Sequence, residues 1–182
     1  MDLAFVGINP SVYSVEHGHY FARRTSRFWP AFSRSRLSEP IRRALGVDVL
    51  GPEHDRELLR FGIGFTDVVK VPTRNANQID PGMFEEWAPK LLDRLIRARP
   101  RLACFHGVTG YRPFVRFALG KRIEPVGLGP QSETIGATRL YVVPNPSPAN
   151  AHFTPADQAA WYDRVADALT ALNQRTRDKA PD

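Results

Sequence analysis

Leu3-Ala4-Phe5-Val6-Gly7-Ile8-Asn9-Pro10-Ser11 and Leu140-Tyr141-Val142-Val143-Pro144-Asn145-Pro146-Ser147-Pro148 are two stretches in which an apolar run leads into Asn-Pro-Ser. A continuous apolar run is typical of a strand that is covered on both faces of a parallel sheet. In an open α/β sheet, ligands bind outside the carboxyl ends of the strands. We therefore expect the two ends of the sequence to contribute loops to one site.

The rest of the chain alternates between strand and helix patterns. Four strands are predicted, over Leu3–Val6, Gly64–Val69, Leu102–His106 and Leu140–Val143. Helices are predicted over Ser26–Ser35, Phe84–Ala98, Thr109–Leu119 and Pro155–Leu172, with a further helix and a loop within Ser38–Arg60. Pro30 fits the first helix only if it lies in the first turn, where its missing N–H is not needed. The alternation predicts an α/β fold, a three-layer α/β/α sandwich with a central, mainly parallel four-stranded sheet.

Length and composition limit the class of protein. With 182 residues, the chain is expected to form a single domain over residues 1–174, followed by a polar tail over residues 175–182. The single cysteine, Cys104, excludes an intramolecular disulfide and a four-cysteine metal cluster. No apolar stretch reaches the roughly 18 residues of a membrane span, and no signal peptide precedes the first strand. These features predict a cytoplasmic protein, associated with the nucleoid if the source is prokaryotic.

The chain is basic, with a formal net charge of +6 and a pI near 9.9. Most of this charge comes from arginine, since the lysines are limited to Lys70, Lys90, Lys121 and Lys179. A basic surface attracts the phosphate backbone of nucleic acids. An arginine-rich composition spread over ordinary solvated faces gives the same net charge, so charge alone leaves nucleic-acid binding open.

The first loop contains residue types that suit a reaction site. Gly7 allows the backbone to approach a ligand closely, and Pro10 restricts the chain around Asn9. The amide of Asn9 offers both an acceptor and a donor, so it can orient a water molecule without carrying charge. The alternative is that Asn9-Pro10 is only a turn that ends a strand.

Four blocks in order along the chain carry a wider resemblance. They are Gly7-Ile8-Asn9-Pro10-Ser11, Ser26-Arg27-Phe28-Trp29 after a loop that ends in Tyr20-Phe21, Phe61-Gly62-Ile63-Gly64-Phe65-Thr66-Asp67-Val68-Val69, and Asn145-Pro146-Ser147. Together they resemble the mismatch-specific uracil/thymine-DNA glycosylases, the second family of the uracil-DNA glycosylase superfamily. The resemblance extends from Leu3 to about Leu172.

This resemblance implies a role for each residue of the first blocks. Such an enzyme flips a nucleotide out of DNA into a pocket and reads the base by stacking and hydrogen bonds. By resemblance, Asn9 positions the water that attacks the sugar, and Phe21 stacks on the flipped base, with Tyr20 as a rival stacking residue. Backbone N–H groups around Ile8 and Phe21 are expected to bond the oxygens of the base. Ser14, Phe21 and Asp67 are the residues expected to set the size of the pocket.

The second Asn-Pro-Ser block resembles the loop that enters the minor groove. Asn145 and Ser147 are expected to contact DNA, the latter at a phosphate. Relatives usually carry a bulky wedge and then an arginine after this block, whereas this chain has Ala149 and Ala151. Either Asn150, His152 or Phe153 replaces the wedge, or recognition of the opposite base is relaxed. The pair Arg23-Arg24 is expected to contact the DNA backbone, the alternative being a solvated surface pair.

Asp67 is a second departure from the family pattern, which tends to have Asn or Lys there. One interpretation is a structural carboxylate that caps a helix or pairs with Lys70 or Arg74. The other is a general base that accepts a proton from the attacking water, or a charge that stabilises the transition state. Both interpretations stay open at this point. His17, His19 and His106 are expected to be satisfied polar side chains, and neither a metal nor an organic cofactor is predicted.

The leading hypothesis is a monofunctional DNA glycosylase, a hydrolase that removes uracil, with other damaged or mismatched pyrimidines as further candidates, and so initiates base excision repair. No lysine falls in a motif block, which argues against a lyase step. The expected partner is double-stranded DNA with uracil or G mismatches, with single-stranded DNA as a further candidate, and the expected state is a monomer. The alternative is a lesion-binding module without efficient excision. A phosphate-binding nucleotide hydrolase is disfavoured because neither a P-loop nor a metal-binding carboxylate pair is present.

Overall fold

The computed structural model describes residues 1–122, 125–150 and 152–177. Its strands are β1 (Leu3–Gly7), β2 (Ile63–Asp67), β3 (Leu102–His106), β4 (Gly129–Ile135) and β5 (Thr138–Val143). Its α-helices are α1 (Val12–His17), α2 (Phe28–Arg34), α3 (Glu39–Leu45), α4 (Pro81–Ala98), α5 (Val108–Ala118) and α6 (Pro155–Arg177). Short 3-10 turns occupy Arg36–Ser38, Pro52–His54, Glu57–Phe61 and Ala76–Gln78.

The strands form one five-stranded sheet in the order β2-β1-β3-β5-β4. Strands β2, β1, β3 and β5 run parallel to one another, and β4 pairs antiparallel with β5 at one edge of the sheet. The predicted α/β fold class is therefore confirmed, but the predicted count of four strands is wrong. The fifth strand escapes the sequence pattern because it alternates buried and exposed positions and carries Gly129 and Pro130, residues that are depleted in strands.

Helices cover both faces of the sheet and bury two separate clusters of apolar side chains. On one face, β1 packs against α2 and α6, with Phe5, Phe28 and Tyr162 in one aromatic cluster. On the other face, β3 packs against α4 and α5 through residues such as Phe105 and Phe114. These two clusters make the three layers of the sandwich.

Several element boundaries differ from the sequence prediction. Helix α1 was not predicted, because a six-residue helix without a buried residue has no apolar periodicity. Helix α4 begins three residues earlier than predicted, at an N-cap where the Asp80 side chain accepts from the Gly82 N–H at 2.7 Å. Helix α6 runs to Arg177, past the predicted end and into the predicted tail, and residues 178–182 lie outside the described part of the chain. Pro30 is the third residue of α2, within the first turn that it requires.

The carboxyl end of the sheet brings together residues from three neighbouring strands. Gly7 of β1 pairs with Asp67 of β2, and Val6 pairs with Phe105, which places His106 of β3 next to Gly7 on the other side. Since side chains alternate along a strand, these three positions face the same side of the sheet, the side of Phe5.

Of the helices in the described ranges, none is long and apolar enough to cross a membrane.

Candidate active site

One cavity lies at the carboxyl end of the sheet, with a volume of about 560 Å³. Most of its wall is formed by four segments that are distant in sequence, and Ser14, Asp67 and His106 contribute the rest. The four segments are the loop after β1 with Asn9, residues 20–26, residues 73–78, and the loop after β5 with Asn145 and Ser147. Both Asn-Pro-Ser loops therefore line the same cavity, which is the placement that the parallel topology predicts.

The hydrogen bonds of Asn9 fix which way its amide points. Its Nδ2 donates to the carbonyl oxygen of Val71 at 3.0 Å and to Thr73 Oγ1 at 2.8 Å. The Val71 oxygen can only accept, and the Thr73 hydroxyl gives its proton to the Asn75 carbonyl at 2.9 Å, so it too accepts from Asn9. Both amide protons are thus used on the protein, and Oδ1 is committed to the role of an acceptor at the cavity.

Asp67 is buried, and its carboxylate is paired with Lys70. The Lys70 ammonium donates to Oδ2 at 2.9 Å, which selects Lys70 over Arg74 among the partners expected from the sequence. Burial raises the pKa of Asp67 above its usual range, and the charge of Lys70 opposes this increase. A Cβ at Gly7 would lie 2.6 Å from Asp67 Oδ1, so that oxygen lies directly against the backbone of Gly7.

Lys70 also links Asp67 to Tyr20. Its ammonium donates to the Tyr20 hydroxyl at 2.9 Å. Burial would lower the pKa of Lys70, but the charge of Asp67 and the hydrogen bonds outweigh burial, so the pKa is raised and the ammonium stays charged. Burial and the Asp67 charge raise the pKa of Tyr20. Arg94 of α4 completes the surroundings by donating to the Asp67 backbone oxygen at 2.8 Å.

Two aromatic residues form the adjoining wall, and they are held differently. Tyr20 is fixed, because its hydroxyl binds Lys70, its carbonyl accepts from the Trp29 indole at 3.0 Å, and its ring stacks on Phe65. Phe21 has a left-handed backbone, with φ of 54°, which is uncommon for a residue other than glycine. One face of its ring stacks on Phe28 at a centroid distance of 4.4 Å. Both rings line the cavity, and which of them stacks on a base stays a prediction.

Ser14 and Ile8 contribute to the cavity wall mainly by holding its segments. Ser14 Oγ accepts from the Ser11 hydroxyl at 3.0 Å and from the Ala22 N–H at 3.3 Å, so it ties α1 to the segment that carries Phe21. Ile8 lines the cavity beside Asn9, and its carbonyl accepts from the Val69 N–H at 2.9 Å.

The loop after β5 is stabilised by its own asparagines. Asn145 Oδ1 accepts from the Ser147 N–H at 2.9 Å, and the Asn150 amide donates to the Asn145 carbonyl at 3.1 Å. The Asn150 side chain is therefore turned back into the loop. Ala149 is exposed at the cavity rim, His152 is exposed beyond it, and Ala151 lies outside the described residues.

Arg27 is a functional candidate that the sequence reasoning missed. Its guanidinium donates to the carbonyl oxygens of Asn150 at 3.0 Å and Phe153 at 2.8 Å, and its backbone N–H donates to Pro146 at 3.2 Å. It thus fastens the second loop to the start of α2. Its place in the block Ser26-Arg27-Phe28-Trp29 is the available signal, but that block by itself predicts only part of a helix.

Arg23 and Arg24 are both exposed, as a contact to a DNA backbone requires, and Arg23 lines the cavity rim. The Arg23 guanidinium lies over the Tyr13 ring at 5.4 Å. Within the described ranges, no group of three or more His, Cys, Asp or Glu side chains is arranged to hold a metal ion. His106 lines the inner part of the cavity, and burial lowers its pKa to about 3.

Comparison with known families agrees with this arrangement. A family model described as the uracil DNA glycosylase superfamily matches residues 1–169, which include every element that lines the cavity. The match covers most of the 182 residues and both Asn-Pro-Ser loops. The chain belongs to the uracil DNA glycosylase superfamily.

Proposed function

We propose that the protein is a monofunctional DNA glycosylase that hydrolyses the N-glycosidic bond of uracil in DNA. Membership of the superfamily points to DNA glycosylase activity. The observation that carries the more specific proposal is the hydrogen bonding of Asn9, because it leaves an uncharged acceptor facing a cavity large enough for a base. An acceptor of this kind orients a water molecule through one of its protons and leaves an oxygen lone pair free to attack.

The reaction that this geometry supports is a displacement by water. The bond between the sugar C1′ and the base nitrogen breaks, the base leaves with the electron pair, and the oxygen of the Asn9-bound water forms the new bond to C1′. The water then gives up a proton. Asp67 is the group placed to accept it, because its Oδ1 lies against Gly7, two residues before Asn9. A carboxylate whose pKa is raised by burial is a better proton acceptor than an exposed one.

Water is favoured over lysine as the nucleophile in this site. Lys70 is the lysine of the site, and its ammonium is held between Asp67 and Tyr20 with a raised pKa. A lysine that attacks a sugar must first lose its proton, which this environment opposes. We therefore propose hydrolysis without a subsequent lyase step.

The surroundings of the cavity suit a flipped nucleotide in DNA. Phe21 provides a ring for stacking, while exposed Arg23 and Arg24 supply positive charge at the rim. The small side chain of Ala149 and the inward-turned Asn150 leave the second loop without a bulky wedge at those positions. We propose that recognition of the opposite base is relaxed, so that uracil opposite G, opposite A and in single strands is processed at similar rates.

An excision assay with two variants tests this function. A uracil-containing oligonucleotide is incubated with the protein and treated with alkali, which breaks the strand at an abasic site. Asn9→Ala should lower the single-turnover rate by about 100-fold or more, as the loss of a water-positioning group does. Asn173→Ala, which removes an exposed asparagine on α6, should leave the rate unchanged. Tight binding to uracil DNA without any strand break would instead identify a lesion-binding module.

A further inference from the structure

The two aromatic residues of the cavity wall lie on a segment that side chains hold at three successive peptide groups. Asp55 Oδ2 accepts from the Tyr20 N–H at 2.9 Å. The Trp29 indole donates to the Tyr20 carbonyl at 3.0 Å. Ser14 Oγ accepts from the Ala22 N–H at 3.3 Å. These bonds fix the orientation of the peptide groups on both sides of the second aromatic residue.

Phe21 needs such support because its backbone is left-handed, with φ of 54°. This conformation is unfavourable for a residue with a side chain, and it persists only where the surrounding structure holds it. The backbone angles of Phe21 set how the peptide group before it is oriented against the one after it. Bonds that fix these two groups therefore also fix the Phe21 ring, which stacks on Phe28 at the cavity.

Asp55 is the charged member of this set of side chains, and it is only 6% exposed. Both of its oxygens are used on two neighbouring residues, Oδ2 on the Tyr20 N–H and Oδ1 on His19 Nδ1 at 3.2 Å. In the described part of the chain, Asp55 forms no ion pair with a lysine or an arginine. A charged acceptor makes a stronger hydrogen bond to an N–H than a neutral one does, so Asp55 provides the strongest of the three restraints.

The backbone of Asp55 is itself firmly supported. It lies between two 3-10 turns, and its N–H donates to the Pro52 carbonyl at 3.1 Å. Leu50 and Leu58, before and after it in the chain, are buried in the same apolar cluster as Phe28. The core therefore fixes the carboxylate, and the carboxylate restrains a segment that lies 35 residues earlier in the sequence.

We infer that Asp55 is a positioning residue, which holds the segment of Tyr20 and Phe21 in the conformation that receives a base flipped out of DNA. This inference rests on the proposed function, because it takes the ligand of the cavity to be such a base. Asp55 is too buried to contact DNA, so it acts only through this segment. Without Asp55, the left-handed turn relaxes in the free protein and must be restored each time a base is bound.

Two affinities measured side by side test this role. One duplex carries 2′-fluoro-2′-deoxyuridine opposite guanine, since the fluorine resists cleavage of the glycosidic bond, and the other carries cytosine at that position. Their ratio reports capture of the flipped base, because the surrounding duplex contributes equally to both affinities. Asp55→Ala should lower this ratio about tenfold, as expected for the loss of one hydrogen bond to a charged group. Its affinity for the cytosine duplex should stay unchanged.

Two control variants separate positioning from a general loss of stability. Asp55→Asn keeps an acceptor oxygen for the Tyr20 N–H and should recover most of the ratio. Thr138→Val removes another buried hydrogen bond, from Thr138 Oγ1 to the Pro100 carbonyl at 2.6 Å, and should leave the ratio unchanged. That bond lies at the start of β5, at the end of the sheet away from the cavity.

Amide hydrogen exchange in the wild-type protein tests the bond itself, whether or not Asp55→Ala folds. The Tyr20 N–H should exchange slowly, because it is bonded to a buried carboxylate. Exchange as fast as that of an unprotected amide would overturn the inference.

The binding ratios distinguish this inference from the proposed function. The inference is overturned if Asp55→Ala keeps the wild-type ratio, if Asp55→Asn falls as low as Asp55→Ala, or if Thr138→Val loses the ratio to the same extent. A ratio that depends on Asp55, without any excision of uracil by the wild-type protein, would contradict only the proposed function. A wild-type ratio of one would contradict both.

Discussion

At the level of single residues, the orientation of polar groups in the site is set by neighbours that can only donate or only accept a hydrogen bond. The Val71 carbonyl can only accept, which forces the Asn9 amide to donate and turns its oxygen toward the cavity. Lys70 can only donate, so Oδ2 of Asp67 is the acceptor of its ammonium.

Gly7 is the residue whose lack of a side chain the site depends on most directly. In Gly7→Ala, the new Cβ would lie 2.6 Å from Asp67 Oδ1, so the carboxylate must turn and weaken its bond to Lys70. We expect about 1–3 kcal/mol lower stability from this overpacking and a larger loss of activity, about 100-fold in single-turnover rate. Gly127→Ala is the matched control, since nothing lies within 4 Å of its added Cβ. Equal rates for the two variants would contradict this account.

Lys70 should control the pH dependence of the reaction through Asp67. The positive charge of Lys70 lowers the pKa of Asp67, against the effect of burial. Lys70→Met removes that charge, so the pKa of Asp67 should rise further and the acidic limb of the single-turnover pH–rate profile should move to higher pH. Lys70→Arg keeps the charge and should leave the limb closer to that of the wild type. A limb that stays in place in Lys70→Met would show that Asp67 is not the titrating base.

At the level of helices and strands, the motif loops are positioned by contacts between distant segments. Arg27, at the start of α2, holds the loop after β5 through three carbonyl oxygens, those of Pro148, Asn150 and Phe153. Arg27→Ala should leave this loop loosely held and weaken binding to duplex DNA by about tenfold, since the loop must then be ordered on binding. Arg34→Ala, an exposed arginine on the same helix, makes the same change in net charge and should weaken binding much less. Equal losses of affinity for duplex DNA in the two variants would show that Arg27 contributes to binding only through its charge.

How well the sequence predicts an element depends on the burial of that element. Strands β1, β3 and β5 are buried at all or nearly all of their positions, so their apolar runs predict them. Edge strand β4 alternates buried and exposed residues and is followed by a turn at Gly136, where φ is 57°. Its sequence therefore contains no continuous apolar run that would predict a strand. The motif blocks predict that Asn9 and Asn145 meet at one edge. They do not predict the bonds of Arg27, because no local pattern encodes partners more than a hundred residues away. For Asp67 the sequence offers Lys70 and Arg74 as partners and cannot choose between them, because it does not encode the direction of a side chain.

At the scale of the whole molecule, folding buries the His106 imidazole and keeps it neutral. Its pKa is lowered from 6.5 to about 3 by burial, so below pH 6.5 the unfolded chain binds a proton that the folded chain does not. Stability should therefore be fully present above pH 6.5 and fall as the pH drops toward 3, by up to roughly 1.4 kcal/mol for each pH unit from this residue.

Urea unfolding at several pH values checks this expectation. His106→Phe should have a weaker dependence on pH between 6.5 and 4 than the wild-type protein. The raised pKa of Asp67 acts with the opposite sign, since the folded state then binds the extra proton, but it is common to both proteins and cancels in the comparison. Identical slopes for the two proteins would contradict the neutral, buried state of His106.

The bond between Arg27 and the loop after β5 joins residues 123 positions apart in the chain. During synthesis, the asparagine that would orient water emerges from the ribosome long before the loop that would grip DNA. A nascent chain, or one cut short before β5, therefore possesses the chemical groups without the means to present DNA to them. Because the proposed reaction removes a base and leaves the strand intact, we expect such incomplete products to excise no uracil until the last strand closes on the first helices.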